Sequence, residues 1–150
     1  GANSWETIEG TNYSVLEGIL SICFVNENTG WGAGSLIMKT EDGGRSWTTQ
    51  RESTIVREIA FIDANRGFAV GGDRVCATSD GGETWADIIE NDDRIVDLRG
   101  IHFLDENYGW ITGRGREEVI GGAASSNSVL LSTKDGGENW EVRELHWKIQ

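Results

Sequence analysis

Short apolar segments, each about five residues long and set off by glycine-bearing polar turns, recur along the chain. One set ends at or just past a phenylalanine: residues 21–25 (SICFV), 58–62 (EIAFI) and 100–104 (GIHFL). A second set opens on glycine and an aromatic: GWGAG from Gly30, GFAVGG from Gly67 and GWITG from Gly109. A third precedes an acidic turn: SLIMKT from Ser35, RVCATS from Arg74 and SVLLST from Ser128. No window carries an i, i+3, i+4, i+7 apolar stripe of helical length, and glycine every few residues would weaken a helix. The pattern predicts strands throughout. Several segments are apolar on both faces, which fits sheets stacked between other sheets better than one sheet with a wet side.

The segments are ordered by a repeat. Thr40 to Trp47 (TEDGGRSW) recurs as Thr78 to Trp85 (TSDGGETW) and Thr133 to Trp140 (TKDGGENW). Upstream of each lies a second matched block, Phe24 to Trp31 (FVNENTGW), Phe61 to Phe68 (FIDANRGF) and Phe103 to Trp110 (FLDENYGW). Phe24 and Phe61 are 37 residues apart, Phe61 and Phe103 are 42 apart, and Asp42 and Asp80 are 38 apart. Each unit of about 40 residues therefore reads as four strands, A to D, the size of a propeller blade. Strand A ends at the Phe, B starts at the Gly-aromatic pair, C precedes Asp-Gly-Gly, and D starts at its Trp.

The pattern T-x-D-G-G-x-x-W resembles the Asp-box, or BNR, repeat of sialidases and other β-propellers. Together with F-x-D/N-x-N-x-G-W/F it is similar to the photosystem II assembly factor group, the Ycf48/HCF136-like propellers and their bacterial relatives. The resemblance spans nearly the whole chain and implies an all-β propeller of Asp-box blades. It implies less about function, because Asp-boxes occur in enzymes and in pure binding proteins. Roles it implies are assistance in protein assembly or a recognition face outside the cytoplasm (secreted, periplasmic or lumenal).

The turns are legible without the family. Asp42, Asp80 and Asp135 precede the glycine pairs opened by Gly43, Gly81 and Gly136. A carboxylate there can accept from following backbone amides while glycine takes positive φ. Trp47, Trp85 and Trp140 can then fold over the turns as apolar anchors. A calcium loop is the functional alternative, but alternating oxygen ligands and a closing Glu are missing.

Three blades are too few to close a propeller. The expected organisation is one propeller domain: residues 1–10 as the end of a preceding blade, 11–52, 53–90 and 91–150 as blades, with an inserted loop at 114–128. Asn3-Ser4-Trp5-Glu6 matches the tail of an Asp-box. Either the chain is a piece of a longer propeller, or two copies pair with two-fold symmetry to close six blades. Self-association is the favoured reading, because an open arc exposes two apolar faces.

Charge narrows the partners. The 150 residues carry 13 Lys and Arg against 25 Asp and Glu, a formal charge of −12, which argues against nucleic acid and anionic membranes. No apolar run reaches the ~18 residues of a span, and the first residues lack a signal-peptide pattern. Glycine numbers 21, about twice the usual ~7% share, and proline is absent, excluding collagen-like and Pro-rich chains. Cys23 and Cys76 fall in separate blades and read as small buried side chains, not a disulfide. Two histidines without acidic partners at ligand spacing predict no metal site, and no cofactor motif is present. His102, one residue before its Phe, is expected in the core or facing the central channel.

Hairpin parity sorts the loops. A–B and C–D turns share one rim, and B–C turns share the other with the D-to-A connections. The repeated turns crowd the first rim as scaffold, so binding is expected at the second. Two variable segments fall there, the 114–127 loop and the 90–99 connector. Arg51, Arg57, Arg94, Arg99, Arg114 and Arg116 also map to that rim and are candidates for a carboxylate-bearing partner. The expected function is a non-catalytic binding or scaffold module for a protein partner. The alternative is a glycan-binding or sialidase-related domain. A sialidase needs a Tyr nucleophile with a Glu partner, and only Tyr13 and Tyr108 exist, neither in a supporting motif. The residues therefore predict no catalytic site.

Overall fold

The computed structural model describes residues 18–52, 56–116, 118–120, 123–125 and 127–145. The first sheet runs β1 (Ser21–Phe24), β2 (Gly30–Ala33), β3 (Leu36–Thr40) and β4 (Thr48–Glu52). The second runs β5 (Glu58–Phe61), β6 (Gly67–Gly71), β7 (Arg74–Thr78) and β8 (Ala86–Ile89). The third begins with β9 (Ile95–Phe103) and β10 (Gly109–Gly115). A separate hairpin, β11 (Glu118–Ile120) with β12 (Ala123–Ser125), intervenes before β13 (Ser128–Thr133) and β14 (Glu141–Leu145) complete it. All three sheets are antiparallel and each strand pairs with its sequence neighbour, as an up-and-down blade requires. The fold is thus an all-β partial propeller of three four-stranded blades. The Asp-box-like match at residues 3–6, Tyr13 and His146 lie outside the described residues.

Register explains the repeated glycine before each strand-B aromatic. Gly30, Gly67 and Gly109 pair with Phe24, Phe61 and Phe103. Each phenylalanine ring lies over its glycine, and an added Cβ would come within 2.5–2.6 Å of ring carbon. No other residue leaves room for the ring.

The core lies between blades. Trp31, Ala33 and Ile37 of the first blade pack with Val56, Ile59, Ala69 and Cys76 around the second. Phe68, Val70 and Val75 of the second meet Leu98, Ile101, Ile111 and Leu131 of the third. Both interfaces use the same aromatic latch. Trp31 stacks on Phe61 at 3.5 Å between ring centroids, and Phe68 stacks on Phe103 at 5.1 Å. The Asp-box tryptophan of the receiving blade closes the latch edge-on, Trp85 against Phe61 and Trp140 against Phe103. Trp31 also donates its indole N–H to the Gly81 carbonyl at 3.0 Å.

Cys76 is buried and Cys23 half-buried, and both are free. Cys76 is more than a small apolar filler: its thiol donates to Asp87 Oδ1 at 2.9 Å. His102 is exposed, on the side of β9 opposite the buried Ile101.

Candidate functional site

The two rims differ in what their residues can still do. On the Asp-box rim the polar groups of the repeated motif are consumed locally. Thr40 donates its hydroxyl to Asp42 Oδ1 at 2.9 Å and accepts from the Gly44 amide at 2.9 Å. Ser46 donates its amide to Oδ1 at 2.8 Å and its hydroxyl to Oδ2 at 2.6 Å. Thr78, Asp80, Gly82 and Thr84 repeat this network, as do Thr133, Asp135, Gly137 and Asn139. Both glycines of every box have positive φ, between 70° and 90°. The hydrogen bonds, led by those from the side chains of Ser46, Thr84 and Asn139, lower all three aspartates to about 2.

The neighbouring A–B turns are tied to the boxes. Asn26, Asp63 and Asp105 accept through Oδ1 from the amides two and three residues on. The carbonyls of Asn28, Asn65 and Asn107 then accept from Gly43, Gly81 and Gly136 at 2.8–2.9 Å. These bonds place both turn types on one rim. Tyr108 is on this rim and is 44% exposed. The threonine two residues before each aspartate is the element sequence reasoning left without a role; its recurrence in all three boxes was the available signal.

At the opposite rim, the six candidate arginines occupy strand ends or the strands beside them. Arg51 at the end of β4 reaches across to Asp87 on β8, its Nη2 3.0 Å from each carboxylate oxygen. Arg74 approaches the same carboxylate at 3.7 Å. Asp87 is held below the usual carboxylate range, first by the Cys76 thiol and then, against the cost of burial, by Arg51. Arg57 Nε, just before β5, is 3.4 Å from Asp97 Oδ1, and Arg99 Nε is 2.8 Å from Oδ2. Burial alone would raise Asp97, but these two guanidinium groups lower it. Arg94 chelates Asp92 at 2.6 and 2.9 Å, and Arg116 is 3.4 Å from Asp93.

The rim arginines are thus mostly committed to intramolecular carboxylates, which the sequence did not reveal. Arg114 alone of the six has no ion pair among the described residues. It lines an open depression of about 460 Å³ with Arg99, Thr112, Asn127, Ser128 and Leu145. Two register shifts in the β9–β10 pairing, at Thr112/Gly113 and Arg114/Gly115, bend the strand beside this depression. Gly113 permits the close approach, since a Cβ there would lie 2.5 Å from the Asp97 carbonyl oxygen. Asp97 is thus shared by Arg57 and Arg99, while Arg114 lines the depression beside Arg99. Among the described residues, no three His, Cys, Asp or Glu side chains are grouped to hold a metal ion. No helix of the described residues is long and apolar enough to cross a membrane.

Comparison with known proteins agrees with this architecture. A solved structure described as YCF48 bound to D1 peptide is 26% identical, with a TM-score of 0.65. The match covers 83% of this chain and 40% of that one. YCF48 from Cyanidioschyzon merolae is 21% identical with a TM-score of 0.60, over 83% of this chain and 39% of that one, and supports the fold. The chain thus spans about two fifths of the length of these structures. No curated protein matches. The family model of the photosynthesis system II assembly factor YCF48 matches residues 50–149, two thirds of the sequence, so the chain belongs to that family of BNR-repeat propellers.

Proposed function

We propose that this chain is a non-catalytic, protein-binding part of a propeller that holds an acidic peptide segment at the B–C/D–A rim. The observation that carries the reading is Arg114, which has no ion pair among the described residues and lines the depression beside Arg99, itself one of two guanidinium groups on the single carboxylate of Asp97. An incoming carboxylate would gain charge-assisted hydrogen bonds there without displacing an existing pair from Arg114. The YCF48 structure that carries a D1 peptide supports a peptide as the class of partner. The photosystem itself is not carried over, because no residue of the rim identifies that partner.

The other rim supports a scaffold role, since its three Asp-box carboxylates are engaged in turn hydrogen bonds. Arg51 and Arg94 serve this reading as structural members, because each is held by its own aspartate. Arg114 and Arg99 are the residues that would contact the ligand.

The test is isothermal titration with synthetic acidic peptides and with the same peptides carrying Gln and Asn for Glu and Asp. Acidic peptides should bind and weaken with salt, as screened charge pairs do. Arg114→Ala should lose about tenfold in affinity, the ~1.4 kcal/mol of one charge-assisted contact. Equal binding of both peptide sets, or an unchanged affinity in Arg114→Ala, would overturn the reading. Turnover of sialyl glycosides, abolished by Tyr13→Phe, would replace it with a glycosidase.

A further inference from the structure

A glycine that follows aspartate leaves the least hindered path for a self-attack of the chain. Its amide nitrogen can close on the aspartate Cγ, and the carboxyl hydroxyl leaves with the amide proton as water. The new N–Cγ bond completes a five-membered succinimide. Water then opens that ring at either carbonyl, returning aspartate or isoaspartate, whose backbone runs through the side chain and is one carbon longer. This chain has three Asp-Gly bonds, at 42–43, 80–81 and 135–136, and all three lie in the Asp-boxes. The turn requires them there, because Gly43, Gly81 and Gly136 have φ of 74°, 71° and 70°, where a side chain is strained. The fold therefore repeats a chemically labile dipeptide once per blade.

Ring closure needs a carboxyl group that is protonated and free to turn, and an amide nitrogen that can give up its proton. The box opposes each requirement. In the second blade Asp80 Oδ1 accepts from the Thr78 hydroxyl at 2.8 Å and the Thr84 amide at 2.9 Å, and Oδ2 accepts from the Thr84 hydroxyl at 2.6 Å. Both oxygens are pinned, and turning the group toward the following nitrogen breaks these bonds. The same bonds, that from the Thr84 hydroxyl first, lower the carboxyl from 3.8 to about 2, so its protonated share at neutral pH falls about 60-fold. The attacking nitrogen is held from the other side. Gly81 is buried and donates its N–H to the Asn65 carbonyl at 2.8 Å, as Gly43 does to Asn28 and Gly136 to Asn107.

We propose that Asp42, Asp80 and Asp135 are latent sites of isoaspartate formation, shut in the folded blade by the hydroxyl and amide donors of the box and by the turn carbonyl that holds the glycine N–H. Protection is a second role for the repeated Thr and Ser/Thr/Asn positions, beyond shaping the turn. A box that opens long enough to isomerise does not re-form. The free carboxylate of isoaspartate sits directly on Cα, so the donors of residues 78 and 84 lose their acceptor, and the added backbone carbon displaces the glycine amide.

The test is peptide mapping of the 150-residue chain after incubation at neutral pH, folded and in guanidinium chloride, with isoaspartate located by electron-transfer fragmentation. The unfolded chain should gain isoaspartate at all three positions, and the folded chain at least about tenfold more slowly at each, because the boxes must first open. Thr84 is exposed, so Thr84→Ala leaves the fold intact, which circular dichroism checks. It removes the donor to Asp80 Oδ2 and should raise isoaspartate at Asp80 several-fold over Asp42 and Asp135 in the same molecules. Ser46→Ala should move the excess to Asp42. The two untouched boxes are internal references, since general unfolding raises all three sites together. Equal rates in the folded and unfolded native chain overturn the proposal, as does a folded Thr84→Ala chain in which Asp80 only keeps pace with the other two.

Discussion

Trp31→Phe isolates the latch between the first two blades. The native indole is fully buried, stacked on Phe61 with 10° between the ring planes, and bonded to the Gly81 carbonyl. Phenylalanine keeps one ring for the stack and removes the N–H, stranding a buried carbonyl at a cost of about 1–3 kcal/mol. The lost ring carbons remove about another 1–2 kcal/mol of burial. The sum, about 2–5 kcal/mol, is a large part of the ~5–15 kcal/mol that holds a domain together. It should appear as a lower urea midpoint by far-UV circular dichroism and a melting temperature lower by roughly 5–15 °C. Trp31→Phe combined with Phe61→Leu should show about 0.5–1.5 kcal/mol of coupling from the ring stack. A loss below about 0.5 kcal/mol for the single variant would refute the latch as a source of stability.

Three further outcomes follow from the same geometry. Gly82→Ala should destabilise by about 1–3 kcal/mol in thermal denaturation, because φ is +90° and its Cβ would lie 2.9 Å from the Trp31 indole nitrogen. Acid should weaken the fold over a defined window: Asp42, Asp80 and Asp135 fall from 3.8 to about 2 on folding, so their stabilisation is complete above about pH 4 and lost as pH drops toward 2. A urea midpoint unchanged between pH 5 and pH 2 would count against the Asp-box network. Cys76, pushed up to about 12 first by burial and then by its bond to Asp87, should resist thiol reagents at pH 8 until the protein is unfolded, and rapid native labelling would contradict its placement.

Much of the architecture was written locally. Thr, Asp, Gly-Gly and Trp at fixed spacing dictate a turn because a short carboxylate, two positive-φ residues and a neighbouring hydroxyl can satisfy one another within eight residues. The glycine before each strand-B aromatic was visible as a repeat. Its cause, a phenylalanine ring from the paired strand lying over it, required the register. The arginine rim was legible as composition, but its charge state was not. Arg51 meets Asp87 and Arg57 meets Asp97 across a blade boundary, 36 and 40 residues apart in sequence.

By itself the sequence determined the repeat, the strand order, the turn chemistry and the family, because each depends on residues close together in the chain. Only the tertiary structure decided which side of each blade is buried, which arginines are already paired, and which aromatic rings meet across a blade boundary. Those are properties of surfaces brought together between repeats. Matching motifs, such as Phe24 and Phe61, meet different fates according to whether another blade covers them.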